Sequence, residues 1–284
     1  MFKKIFFAAA LLLASELIAK PVVIASIAPV EYLAKAVGGD KIEVQSLAKG
    51  DVHSYEPKPN DMKAVAKARI FIAAGLEFEE AWIPRFKASA KNLVVVQSDA
   101  KIAKLKEERG EQAEHDEKHE AHADPHVWLN PMLAITMARN ISDALIAMDK
   151  ANKDFYLENF QKLMNDLLAF DESAKNELAG LKNRKFVVYH PAWGYFAAHY
   201  DLEQISIERS GKEPKIDEMA STVKMIKDEN IKVIFADPNR SQKSAQILAS
   251  QTGAKVELLD PLGYNLLENL KIAVGAIKDA NSPK

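Results

Sequence analysis

From Pro21 onward the chain alternates short β-branched runs with amphipathic stretches. Val22 to Ile27 reads as a strand, Val30 to Val37 as a helix closed by Gly38-Gly39, and Ile42 to Leu47 as a second strand. A polar loop follows, then a helix expected to start with Asn60 or Asp61 as its N-cap. Arg69 to Ala73 and Leu93 to Gln97 continue the strand series with a helix between them. This βαβα order implies a mostly parallel sheet covered by helices.

Residues 101–124 break the rhythm. Between Glu107 and Asp124 lie eight acids, two bases, three histidines and no large aliphatic residue. Such a segment buries too little apolar surface to offset its ordering entropy, which predicts a mobile loop. Asn130-Pro131 then offers a cap and a proline for a first helical turn, and apolar residues recur at helical spacing through Met148. A second helix, Lys153 to Leu181, carries Phe155, Leu163, Leu167, Phe170, Ala174 and Leu178 on one stripe with no internal Gly or Pro. The βα rhythm restarts with strands at Lys185 to Tyr189, Gln204 to Ile207, Ile231 to Ala236 and Lys255 to Leu259. The expected fold is α/β: two lobes, each a mostly parallel sheet flanked by helices, joined by one long rigid helix. The boundaries fall at 20–150, with the acidic His-rich loop at 107–124, at 151–181 for the linking helix, and at 182–284. The alternative is a single domain with the middle helices laid flat on one sheet.

The first nineteen residues read as a signal peptide. Met1-Phe2-Lys3-Lys4 is a positive head, Ile5 to Leu13 an apolar run, and Leu17-Ile18-Ala19 an end suited to signal peptidase. The run is too short to span a bilayer. Cleavage after Ala19 removes Lys3, Lys4 and Glu16, which takes the net charge from −2 to −3. That balance and the lack of a broad basic patch argue against nucleic acid as a partner. There is no cysteine in the 284 residues. No lipid anchor on an N-terminal cysteine is then expected, and any metal site must use His, Asp and Glu.

Three of the seven histidines fall just beyond predicted elements. His53 follows the second strand in Asp51-Val52-His53-Ser54-Tyr55-Glu56-Pro57. His126 precedes the long helices in Asp124-Pro125-His126-Val127-Trp128-Leu129-Asn130-Pro131. His190 ends the strand Phe186-Val187-Val188-Tyr189 and leads into Pro191-Ala192-Trp193-Gly194. Asp260 follows the last strand in Leu258-Leu259-Asp260-Pro261-Leu262-Gly263. Ligands of open α/β sheets bind outside the carboxyl ends of strands. Taken singly, a histidine beside a proline is an ordinary turn residue, and Asp before Pro starts turns. Together, three imidazoles and a carboxylate at matching element ends make a first shell for tetrahedral zinc. Imidazole-rich sites suit zinc, copper and nickel, whereas manganese prefers oxygen. Asp260 stays open between fourth ligand and turn residue.

These motifs, in this order and over essentially the whole mature chain, resemble the metal-binding proteins of bacterial ABC importers for zinc and manganese. The resemblance is greatest to the zinc-specific, ZnuA-like periplasmic type. It implies two similar lobes bridged by a rigid helix, with zinc held at their interface by His53, His126 and His190. The manganese branch usually has a glutamate at the position of His190 and a carboxylate ligand at that of Asp260. Manganese is therefore the alternative cargo. The resemblance further implies a periplasmic location, an ABC permease as partner, and no turnover; a monomer is expected.

Within the loop, His115, His119 and His122 stand four and three residues apart, so short helical turns could pair them in a weak secondary metal site. A solvated acidic loop without a role is the plainer alternative. Neither pair fits the metalloprotease motif, and neither a Gly-rich phosphate cradle nor a nucleophile elbow occurs. A zinc hydrolase stays the competing class, since three histidines with an open position also support catalysis. An exported adhesion or storage protein that uses only the loop is a third.

Overall fold

The structure is a computed structural model that describes residues 20–106, 123–208 and 216–281. The expected signal peptide and the three loop histidines lie outside the described residues. Strands β1 (Val22–Ala25), β2 (Glu43–Ser46), β3 (Ile70–Ala73) and β4 (Val94–Gln97) form one sheet in the order β2-β1-β3-β4. Strands β5 (Lys185–Val188), β6 (Glu203–Ser206), β7 (Val233–Ala236) and β8 (Lys255–Leu258) repeat that permutation as β6-β5-β7-β8. All six strand pairings are parallel. The inner strands read as unbroken apolar runs because both faces are covered, and Ile70, Phe71, Ile72 and Ala73 are all buried. Edge strands β2, β4 and β8 contain no fully buried residue, so their apolar signal is weaker. Seven of the eight strands are one or two residues shorter than their expected runs, and β6 keeps the expected length but starts one residue earlier.

Helix α1 (Ala28–Gly38) returns β1 to β2, α2 (Pro59–Val65) precedes β3, and α3 (Glu77–Ser89) returns β3 to β4. The N-cap of α2 is Lys58, not Asn60 or Asp61. Pro59 takes the first turn, where its fixed φ suits a helix, and Asp61 sits at the third position. There its carboxylate accepts from the Lys58 N–H at 2.7 Å. The start of α4 (Pro131–Met148) is as expected: Asn130 Oδ1 accepts from the N–H of Met132 and of Leu133.

Helix α5 (Lys153–Leu178) runs 26 residues without a break, a length of about 39 Å. Its buried stripe of Tyr156, Phe160, Leu163, Leu167, Phe170 and Ala174 packs on α1 and α4 of the first lobe. It packs also on α9 (Leu266–Asn281), the last helix of the second. Each large apolar side chain on that stripe contributes roughly 1.5–3 kcal/mol, so the stripe holds both lobes to one rod. The main hydrophobic core is accordingly continuous between the lobes and joins Val23 and Phe71 to Trp193, Phe196 and Leu259. A smaller core around Val187, Ile234 and Leu248 lies with α7 (Ile216–Asp228) and α8 (Lys243–Thr252). A short α6 (Gly194–His199) follows the turn after β5. Trp128, fully buried, donates its indole N–H to Pro261 O at 2.8 Å and ties the segment before α4 to the second lobe. No helix among the described residues is long and apolar enough to cross a membrane.

Candidate metal centre

Both sheets present the carboxyl ends of their strands to the cleft, and each metal-capable side chain leaves one of these ends or the segment between them. His53 stands in the turn after β2. Asp51 builds that turn: its Oδ1 accepts from the His53 N–H at 3.1 Å and its Oδ2 from the Ser54 hydroxyl at 3.2 Å. His126 precedes a single 3-10 turn that leads to α4. Asp124 folds back on it, with Oδ1 2.9 Å from the His126 backbone N–H and 2.8 Å from its Nδ1. His190 comes two residues after β5, beside the junction with β7 where the strand order reverses. Its Nδ1 lies 2.9 Å from Glu208 Oε2, at the end of β6.

These three rings converge. Their centroids are 5.6 Å (His53–His126), 4.9 Å (His53–His190) and 5.4 Å (His126–His190) apart. One nitrogen from each lies within 4.8 Å of the others, close enough to hold one ion. His126 and His190 are buried whereas His53 is exposed. An Nδ1–H given to a carboxylate leaves Nε2 with its lone pair free, the arrangement that orients metal-ligating imidazoles. His190 Nε2 is buried and has no hydrogen-bond partner among the described residues. A buried ring nitrogen left unpaired is costly unless something fills the place beside it, and a cation does once that nitrogen carries the lone pair.

The electrostatics point the same way. Although His53 as a residue is exposed, the cluster shields its imidazole from water, and that desolvation, followed by the neighbouring His126 and Arg240, pushes it down to about 4; Asp51 and Asp124 oppose this. The same order of causes, burial, then His126, Arg240 and His53, lowers His190 well below the ordinary imidazole value. Both are neutral at physiological pH, the form that ligates a metal.

Asp260 is not brought into this group. Its Oδ1 accepts from Asn239 Nδ2 at 2.7 Å and from the Leu262 N–H at 2.8 Å, the bonds of a turn. Two residues that sequence reasoning missed complete the surroundings, Glu208 and Arg240. Glu208 lies two positions past β6 and Arg240 four past β7. The strand-end rule that picked out His190 applies to both, but neither carries a motif. A cavity of about 200 Å³ opens beside the cluster, lined by Leu105, Asp124, His126, His190 and Gly194 among others. The loop stem closes over it through pairing of Lys106 with Ala123, and the Tyr195 hydroxyl accepts from Leu105 N–H and donates to Asp124 O, each at 2.8 Å.

Fold and site together define a two-lobed metal-binding protein of the solute-binding type. Residues 23–280 match the family described as zinc-uptake complex component A, periplasmic, and the chain belongs to that family. It is 30% identical over 279 residues to the high-affinity zinc uptake system protein ZnuA of Bacillus subtilis, across 91% of this chain and 86% of that one. It is 34% identical over 243 residues to a putative metal-binding protein of Treponema pallidum, across 82% and 77%. Among solved structures, a ZnuA deletion mutant with zinc bound superposes with a TM-score of 0.86 at 34% identity, over 93% of this chain and 99% of that one. Zinc binding and zinc transport are the family's activity, and the family is one of binding proteins rather than enzymes.

Proposed function

We propose that this chain captures one zinc ion in the periplasm with high affinity, through His53, His126 and His190, and delivers it to the membrane permease of an ABC importer. The observation that carries the reading is the convergence of three imidazoles, one of which keeps a buried nitrogen without a hydrogen-bond partner among the described residues. Two of the three are braced at Nδ1 by a carboxylate. Water or a carboxylate fills the fourth position. Three nitrogens favour zinc over manganese, and manganese is the weaker-bound alternative. The division into lobes at 20–150 and 182–284 around a helix at 151–181 belongs to this reading, as do export by residues 1–19 and a weak accessory site at His115, His119 and His122. Calorimetry on metal-free protein should show one tight zinc event per chain and much weaker manganese binding. Absence of a tight event overturns the reading.

A further inference from the structure

His190 Nδ1 has two neighbours with incompatible demands. Glu208 Oε2, 2.9 Å away, can only accept a hydrogen; Arg240 Nη1, 3.1 Å away, can only donate one. If Nδ1 carries the hydrogen, Glu208 is satisfied and Nε2 offers its lone pair to a metal. If Nδ1 is bare, Arg240 is satisfied and the hydrogen sits on Nε2, which then cannot ligate. Both tautomers are neutral and hold the same number of protons. Among the described residues nothing bonds to Nε2 to decide between them.

Arg240 also reaches beyond His190. Its Nη2 lies 3.2 Å from Glu208 Oε1, and its Nη1 lies 3.9 Å from Asp51 Oδ1. Glu208 braces the His190 ring, and Asp51 shapes the turn of His53 on the other lobe. One guanidinium therefore touches the supports of two ligands that come from different lobes.

We propose that Arg240 is a positioning residue that sets how tightly the site holds its ion, by competing with Glu208 for His190 Nδ1. This deepens the zinc-capture reading and rests on it. A bound cation requires the tautomer in which Nδ1–H points to Glu208, and Arg240 then keeps only the outer oxygen of Glu208 and Asp51. Loss of the ion lets the guanidinium return to Nδ1. Its positive charge beside a divalent cation adds repulsion of the same sign. The two effects hold affinity below what three imidazoles could reach, which suits a protein that must give its ion up.

The test uses nitrogen NMR of His190 in the metal-free full chain, with zinc competition titration and stopped-flow zinc release. The proteins are the parent, Arg240→Met and Arg240→Lys. The metal-free parent should populate the Nε2–H tautomer, and Arg240→Met should shift His190 to Nδ1–H. Arg240→Met should bind zinc about tenfold tighter or more with slower release, the scale of one like charge removed a few ångströms from the ion. Arg240→Lys keeps the charge and should stay within a few-fold of the parent. The proposal is overturned if His190 is wholly Nδ1–H in both parent and Arg240→Met. It is overturned equally if folded Arg240→Met binds zinc no more tightly than the parent. A parent without tight zinc binding would sink the capture reading instead, while the tautomer measurement would still decide the competition at Nδ1.

Discussion

The turn that carries His53 and the pocket that holds His190 differ in how firmly each fixes its imidazole. His190 is 6% exposed, and Glu208 beside it 4%. Its ring is braced at Nδ1, and its backbone is extended by sheet bonds that run past the strand ends, from the Tyr189 N–H to Phe235 O at 2.7 Å and from the Glu208 N–H to Tyr189 O at 2.8 Å. His53 is exposed, and Asp51 fixes the backbone of its turn rather than its ring. His126 resembles His190, buried and braced by Asp124. Preorganisation is thus unequal: two ligands wait in place and the third completes the site from the solvent side. An ion that meets two fixed ligands loses less to ordering the rest.

If that inequality governs binding, replacing the two fixed ligands does the most damage. His126→Ala and His190→Ala should each weaken zinc binding by roughly a thousandfold or more, since each removes a preorganised ligand from the buried side of the site and leaves the cation under-coordinated there. His53→Ala should cost less, about a hundredfold, because water can enter at the exposed corner. Competition titration against a zinc chelator measures all three. Equal losses would show that the exposed ligand is as preorganised as the buried pair.

The braces sharpen the same comparison. Glu208→Gln can still accept the Nδ1 hydrogen but lacks the charge that raises ligand basicity, and a loss of about 10–100-fold is expected. Asp51→Asn keeps an acceptor oxygen for the turn of His53 and removes only a charge that lies 3.9 Å from Arg240, so a change of a few-fold at most is expected. A larger loss from Asp51→Asn would place the controlling support on the first lobe.

How far the sequence carried these assignments follows from what is local. Inner strands were legible because both faces are buried and leave an unbroken apolar run at Ile70–Ala73 and Val233–Ala236. The long helix was legible from its stripe and from its lack of Gly and Pro. The three histidines were legible because each sits in a Pro-flanked motif at an element end. Glu208 and Arg240 were not, because they meet His190 only through pairing of β5 with β6 and with β7. The return of α9 onto α5, which makes one core of two lobes, is likewise a contact between residues about a hundred positions apart. The cap of α2 was misread because Asp61 works from the third helical position, where spacing alone cannot tell a cap from its partner.

The comparison also has a pH signature. His53 is depressed to about 4 from the ordinary imidazole value near 6.5. The unfolded chain therefore binds more protons than the folded one between those values, and the contribution of this group to stability falls as pH drops from about 6.5 to 4. Glu79, raised to about 7 by burial, has the opposite sign and stabilises the fold as pH falls through the same range. A difference measurement cancels Glu79. The melting temperature of metal-free parent minus that of His53→Ala should decline from pH 6.5 to 4. A constant difference would mean that the ring is solvated like a free imidazole.

The smallest effect is expected at Asp260. Three neutral imidazoles leave zinc with its full double charge, and a carboxylate in the fourth position would halve it. Asp260 stands at the right strand end for that task, after β8. Its Oδ1, however, is taken by Asn239 Nδ2 and the Leu262 N–H, and its backbone carbonyl by Asn269 Nδ2 at 2.5 Å. These bonds fix the turn whose Pro261 carbonyl receives the Trp128 indole. Asp260→Asn preserves an acceptor oxygen in the turn and removes the charge. If the turn is its whole role, zinc affinity should stay within about twofold and the melting temperature should move little, as at sites away from buried charge. A loss of tenfold or more in zinc affinity, with a larger loss for manganese, would show that the carboxylate reaches the ion. In that case the turn would have to rearrange on binding, and the Trp128–Pro261 contact would shift with it, visible as a change in indole fluorescence on loading.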